Sequence, residues 1–198
     1  YILPVLFTVF AASCDGDDEE VIRMQNQDPV VTVTSVSDAV GYVGNEFTIY
    51  GTNFGIIAND VEGFVGNTKL QLISCEDEEL TVRVPEGTTA GRISVVVYGQ
   101  RVDTQLMYDV LGVPGIRTVI PSYGFVGDEI KFNGHDLGVP SAHYKVLFSG
   151  KEESATFMAA PEMESFSVKV PEGAQSGEIK LNITDKPVNV PVAFTVLK

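Results

Sequence analysis

Apolar residues recur at every second position through much of the chain. In residues 91–99, Ile93, Val95 and Val97 alternate with Ser94, Val96 and Tyr98. In residues 177–185, Ile179, Leu181 and Ile183 alternate with Lys180, Asn182 and Thr184, and residues 80–85 and 166–171 follow the same rule. A period of two sends successive side chains to opposite faces, so these runs predict half-buried antiparallel strands. Turn residues interrupt them at short intervals, and no helical period is sustained anywhere. Residues 84–87 and 170–173 both read Val-Pro-Glu-Gly, with Pro and Gly where a type I turn takes them.

The alternating segments occur twice. Residues 42–55 read YVGNEFTIYGTNFG and residues 125–138 read FVGDEIKFNGHDLG, an offset of 83. Residues 82–95, VRVPEGTTAGRISV, match residues 168–181, VKVPEGAQSGEIKL, at an offset of 86. The copies end alike, YDVL at 108–111 and FTVL at 194–197. Two copies of about 85 residues predict two domains, 30–111 and 114–198. The join, Leu111-Gly112-Val113-Pro114-Gly115, is short enough to restrict their relative orientation. About seven short strands per copy predict a β-sandwich of immunoglobulin type. Neither copy has a cysteine pair and the chain has no Trp, so the core must be aliphatic and Phe-based.

The second copy carries Ile116, Pro121, Gly127, Gly134, Gly138, Val170-Pro171-Glu172-Gly173, Gly177 and Phe194. That spacing resembles the IPT/TIG family of immunoglobulin-like domains, and with the first copy the resemblance covers residues 30–198. The first copy departs from it at Asp38, where Pro121 stands in the second, and at Tyr108, where Phe194 stands. The glycines have a physical role at turns and bulges, where the backbone takes angles that side chains forbid. The expected fold is all-β: two tandem immunoglobulin-like β-sandwiches after a lipoprotein signal segment.

The signal segment is read from a different pattern. Residues 1–13 hold no charge and include Ile2, Leu3, Val5, Leu6, Phe7, Val9 and Phe10. A bilayer span needs about 20 apolar residues, so this run has the length of a signal-peptide hydrophobic region, and the sequence is expected to start inside its own signal peptide. Ala11-Ala12-Ser13-Cys14 resembles the lipobox of bacterial lipoproteins, which implies cleavage before Cys14 and lipidation of its thiol. Stable anchoring takes two or more acyl chains, and mature lipoproteins of this kind carry three. Asp15, Asp17, Asp18, Glu19 and Glu20 follow at once and resemble the surface-export signal of Bacteroidetes lipoproteins. Residues 14–29 then form an acidic flexible tether with a reach of roughly 20 Å and a maximum of about 50 Å. The implied location is the outer face of the outer membrane.

The chain has 198 residues with 27 acidic and 13 basic side chains, a net charge of -14. Such a field repels a phosphate backbone, which argues against nucleic acid as a partner. No nucleophile elbow, phosphate loop or zinc spacing is present, and no cofactor, metal or catalytic activity is expected. Glu76, Asp77, Glu78 and Glu79 lack the alternate-position oxygens and glycine of a calcium loop and read as a solvated loop. His135 and His143 stand eight apart in a loop-rich stretch, and Cys75 reads as a small, half-buried hydrophobe.

Comparison of the copies singles out one surface. Outward positions in copy one are Val96, Tyr98 and Met107, against Asn182, Thr184 and Ala193 in copy two. With Tyr50 on the opposite sheet, where copy two has Asn133, they form a candidate interaction patch, since Tyr and Met are enriched at interfaces. Surface lipoproteins of this family resemblance are commonly stalk modules of glycan-binding proteins beside SusC/SusD-like transporters. The expected function is therefore a non-catalytic binding or spacer module. Its expected partners are a membrane through Cys14, an outer-membrane transporter or surface proteins, and a polysaccharide. The alternative is an adhesion or assembly protein that binds only other proteins.

Overall fold

The computed structural model describes residues 29–198, of which residues 31–198 form one compact unit. The signal segment 1–13, Cys14 with its lipid and most of the tether lie outside the described residues. The unit is all-β, as the period of two requires. The first repeat contains β1 (Thr32–Val36), β2 (Val40–Tyr42), β3 (Glu46–Thr52), β4 (Val61–Val65), β5 (Thr68–Lys69), β6 (Gln71–Cys75), β7 (Glu79–Arg83), β8 (Gly91–Val97) and β9 (Gln100–Leu111). The second contains β10 (Gly115–Ile120), β11 (Tyr123–Gly124), β12 (Glu129–His135), β13 (Tyr144–Leu147), β14 (Ser165–Lys169), β15 (Gly177–Glu178), β16 (Lys180–Ile183), β17 (Lys186–Val188) and β18 (Ala193–Val196).

In the first repeat a four-stranded sheet, ordered β1-β3-β7-β6, faces a five-stranded sheet, ordered β2-β9-β8-β4-β5. Between them lie Phe47, Ile49, Phe54, Val61, Leu80, Val82, Ile93, Val95, Val97 and Tyr108, all buried. The Phe47 and Tyr108 rings stack with centroids 4.3 Å apart. The second repeat builds its core from Ile130, Phe132, Leu137, Val146, Phe148, Phe166, Val168, Leu181, Ile183 and Phe194.

The repeats share irregularities as well as strands. β1 slips against β3 between Val33 and Ser35, and β10 slips against β12 between Ile116 and Thr118. Both slips sit beside a close approach: a side chain at Gly51 would run into the Thr32 carbonyl, and one at Gly134 into the Gly115 carbonyl. Both repeats also pair β2 or β11 in parallel with the closing strand, Tyr42 opposite Leu111 and Tyr123 opposite Thr195.

The repeats differ in one sheet. β8 and β9 run continuously across a bulge between Arg92 and Ser94. In the second repeat the same point, Ile179, separates β15 from β16, and residues 189–192 separate β17 from β18. Pro191 supplies no N–H to a ladder there, so the strand cannot pair through it. The sheet becomes two three-stranded pieces, β11-β18-β15 and β13-β16-β17. Each repeat thus has nine strand segments instead of about seven.

Candidate functional site

The seat of the first repeat on the second is built from a turn and a strand end. Val43, Gly44 and Asn45 link β2 to β3, and Gly44 takes φ +92. Tyr42, at the end of β2, and Leu111, at the end of β9, are buried within the core cluster of the second repeat. Tyr42 donates its hydroxyl to the Asp136 carbonyl at 2.6 Å. Burial, and then the Asp136 charge, push its phenol up to about 12.

Asp136 stands just beyond β12 with φ +55, a left-handed position that Asp tolerates. Its carboxylate accepts the Gly112 N–H of the join at 3.1 Å and lies 3.0 Å from His135 Nδ1. The His135 contact and the Gly112 N–H hold this carboxyl below its ordinary range, against the opposing effect of burial. Asp38 Oδ1 approaches His143 Nε2 at 3.5 Å, and Lys186 Nζ donates to the Val43 carbonyl at 3.4 Å. An apolar crevice of about 330 Å³ remains at the seat, lined by residues including Tyr42, Leu111, Pro114, Ile183 and Lys186. Both histidines and the nonconforming Asp38 therefore serve the join between repeats.

The four patch residues expected from sequence do not share one surface. Val96 stands on the outer face of β8 between Glu62 of β4 and Arg101 of β9. That face is a polar net: Lys69 pairs with Glu62 at 2.5 Å, and Arg101 pairs with Asp103 at 2.9 Å, bonds Ser94 Oγ at 2.6 Å and lies over the Phe64 ring at 5.2 Å. Met107 is exposed opposite Arg92, six residues along the strand from Tyr98, or about 20 Å away. Tyr50 is half-buried on β3, paired with Ser35 and Glu79 in the other sheet.

Tyr98 joins different company. Val97 pairs with Gln100, so Tyr98 and Gly99 form a two-residue hairpin turn at φ +49 and +79. The Tyr98 N–H donates to the Asp60 carbonyl at 2.9 Å, and its ring covers Gly55. Beside Gly55, Ile56 is 79% exposed and Ile57 is 51% exposed. Ile56, Ile57 and Tyr98 form an apolar corner at the end of the first repeat remote from the seat. Ile56 and Ile57 were absent from the sequence-based patch, although two consecutive isoleucines in a loop were the visible signal.

The remaining reactive groups are quiet. Cys75 Sγ lies 3.2 Å from the Gly55 carbonyl, and burial, then the Asp77 charge, push its thiol up. Among the described residues no three His, Cys, Asp or Glu side chains cluster as metal ligands, and no helix is long and apolar enough to cross a membrane.

Residues 31–110 match the IPT/TIG domain family. Human Fibrocystin-L is 27% identical over 127 residues, covering 63% of this chain and 3% of that protein. The extracellular region of Plexin A4 superposes with a TM-score of 0.58 at 14% identity, over 87% of this chain and 19% of that one. The surface glycan-binding protein PbSGBP-B of Prevotella bryantii gives a TM-score of 0.40 at 14% identity, over 83% of this chain and 42% of that one. The chain thus spans a small fraction of the first two and under half of the third. The plexin likeness is one of fold.

Proposed function

With an IPT/TIG immunoglobulin-like domain at residues 31–110 as the premise, we propose that this chain is a non-catalytic surface module. It binds or spaces within an outer-membrane assembly accessory to a SusC/SusD-like nutrient uptake complex. Residues 114–198 are a second copy of the domain, and lipidated Cys14 anchors the pair through the acidic tether. The observation that carries the reading is the seat. Tyr42 and Leu111 enter the second core, and Asp136 ties Tyr42 and Gly112 to one corner. A join of that kind holds two sandwiches in fixed relation, which is what a spacer needs.

The groups that could run chemistry support the same reading. His135 and His143 are engaged at the join, and the raised Cys75 thiol is a poor nucleophile at neutral pH. Affinity electrophoresis against a polysaccharide panel tests the ligand. Co-purification of a transporter from detergent-solubilised membranes tests the partner. Retardation by a glycan or recovery of the transporter supports the reading, and the absence of both contradicts it.

The alternative, an adhesion or assembly protein, is favoured by one observation. The exposed corner is mainly aliphatic, Ile56 and Ile57 with one Tyr98, and lacks the coplanar aromatics suited to a sugar ring. Capture of surface proteins other than the transporter, without glycan retardation, would select it.

A further inference from the structure

The interface between the repeats has two halves, and each repeat carries both. One half is a donor end: Val40, Tyr42, Val43 and Leu111 in the first repeat. The other is an acceptor corner: Asp136 and the turn at Thr184 in the second, with Leu137 and Val139 following Asp136 into the core cluster that Tyr42 and Leu111 join. Strands β3 and β9 run from one end of the sandwich to the other, so the halves lie at opposite ends of each repeat. The internal seat uses one donor end and one acceptor corner. The other two are exposed among the described residues.

The open halves match the used ones position for position. Val40, Tyr42, Val43 and Leu111 correspond to Tyr123, Phe125, Val126 and Leu197 by the repeat offsets. Tyr42 and Leu111 are 5% and 9% exposed, whereas Tyr123, Phe125 and Leu197 are 60%, 52% and 37% exposed. Asp136 and Val139 correspond to Asn53 and Ile56, and Thr184 and Asp185 to Tyr98 and Gly99. The backbones agree: Asn53 takes φ +61 against +55 at Asp136, and Tyr98 takes +49, the value at Thr184. Val139 is fully buried in the cluster that holds Tyr42 and Leu111, while its counterpart Ile56 lies bare.

We propose that copies of this chain associate head to tail. The Tyr123–Phe125–Leu197 end of one copy seats on the Ile56–Ile57–Tyr98 corner of the next. A second copy is the fitting occupant because the described residues expose counterparts of both halves of an interface the chain already makes internally. The polar groups at the open ends are compatible. The Asp38–His143 pair of the internal seat is replaced by Pro121 and Asp60, so that position brings no like-charged pair together. Phe125 has no hydroxyl to repeat the Tyr42 bond, so the open contact is more apolar than the internal one. The contact is heterologous, so it builds rows or rings in place of symmetric dimers. A few side chains per face, without a covalent join, place its dissociation constant at about 0.1–1 mM.

Sedimentation velocity of the full chain between about 10 μM and 1 mM tests this. Wild-type mass should rise with concentration without stopping at the dimer. Ile56→Glu with Ile57→Glu blocks the corner, and Tyr123→Glu with Phe125→Glu blocks the other end. Each variant alone should stay monomeric, and an equimolar mixture should regain association that stops at the dimer. Should a double variant lose its thermal transition, Ile56→Lys and Phe125→Lys replace them. Three results overturn the proposal: a wild type monomeric at 1 mM, association persisting in either blocked variant, or a mixture that stays monomeric. A panel polysaccharide that shifts the Tyr123 and Phe125 resonances under conditions where added chain does not also overturns it, and assigns that end to a glycan.

Discussion

At the scale of single residues, position decides more than type. Asp136 follows β12 in a left-handed backbone, which Asn would tolerate equally. Its carboxyl titrates below the ordinary range in the folded chain, so the charge contributes stability above the unfolded pKa, about 3.9, that is lost as pH falls through the folded value. Thermal unfolding of wild type and Asp136→Asn should differ at pH 6 and converge as pH falls below the folded-state pKa of the carboxyl. A gap that persists unchanged to low pH would mean that the carboxylate charge is not what ties Gly112 and His135 together. Tyr42→Phe should cost about 1 kcal/mol in denaturant unfolding, the worth of one buried hydrogen bond, because the ring stays in place. Gly51 and Gly134 answer to a harder constraint. Alanine at either would meet a backbone carbonyl that cannot swing aside, with an expected loss of about 2–4 kcal/mol.

At the scale of elements, the strands were legible and their interruptions were not. Ile93, Val95 and Val97 are buried as the alternation requires. The same alternation carried one residue too far puts Tyr98 on an outer strand face, when it in fact opens a two-residue turn. The cross-strand register, invisible in one strand alone, sets Val96 between Glu62 and Arg101 and carries Met107 away from both. The corner at Ile56 and Ile57 was missed because loop residues have no period to read. Tyr98 itself sits where Asn or Gly is the easier choice, so its ring is maintained against local preference. Tyr98→Asn should raise stability by up to about 1 kcal/mol in denaturant unfolding while weakening head-to-tail association. A loss greater than 1 kcal/mol would instead make Tyr98 part of the packing over Gly55.

At the scale of the molecule, the repeat was the most informative feature of the sequence. The offsets of 83 and 86 locate the equivalent slips at Val33 and Ile116, and the equivalent turns at Tyr98 and Thr184. They do not reveal that Tyr42 crosses into the second core whereas Phe125 stays bare, because that difference arises only when one repeat meets the other. The central claim is that the two sandwiches form one rigid body that spaces or presents. Backbone ¹⁵N relaxation at about 50 μM, below the association range estimated for the open ends, tests it most directly. The account predicts one shared rotational correlation time for amides of both repeats. Two separate, shorter times, each near that of an isolated repeat, would contradict it.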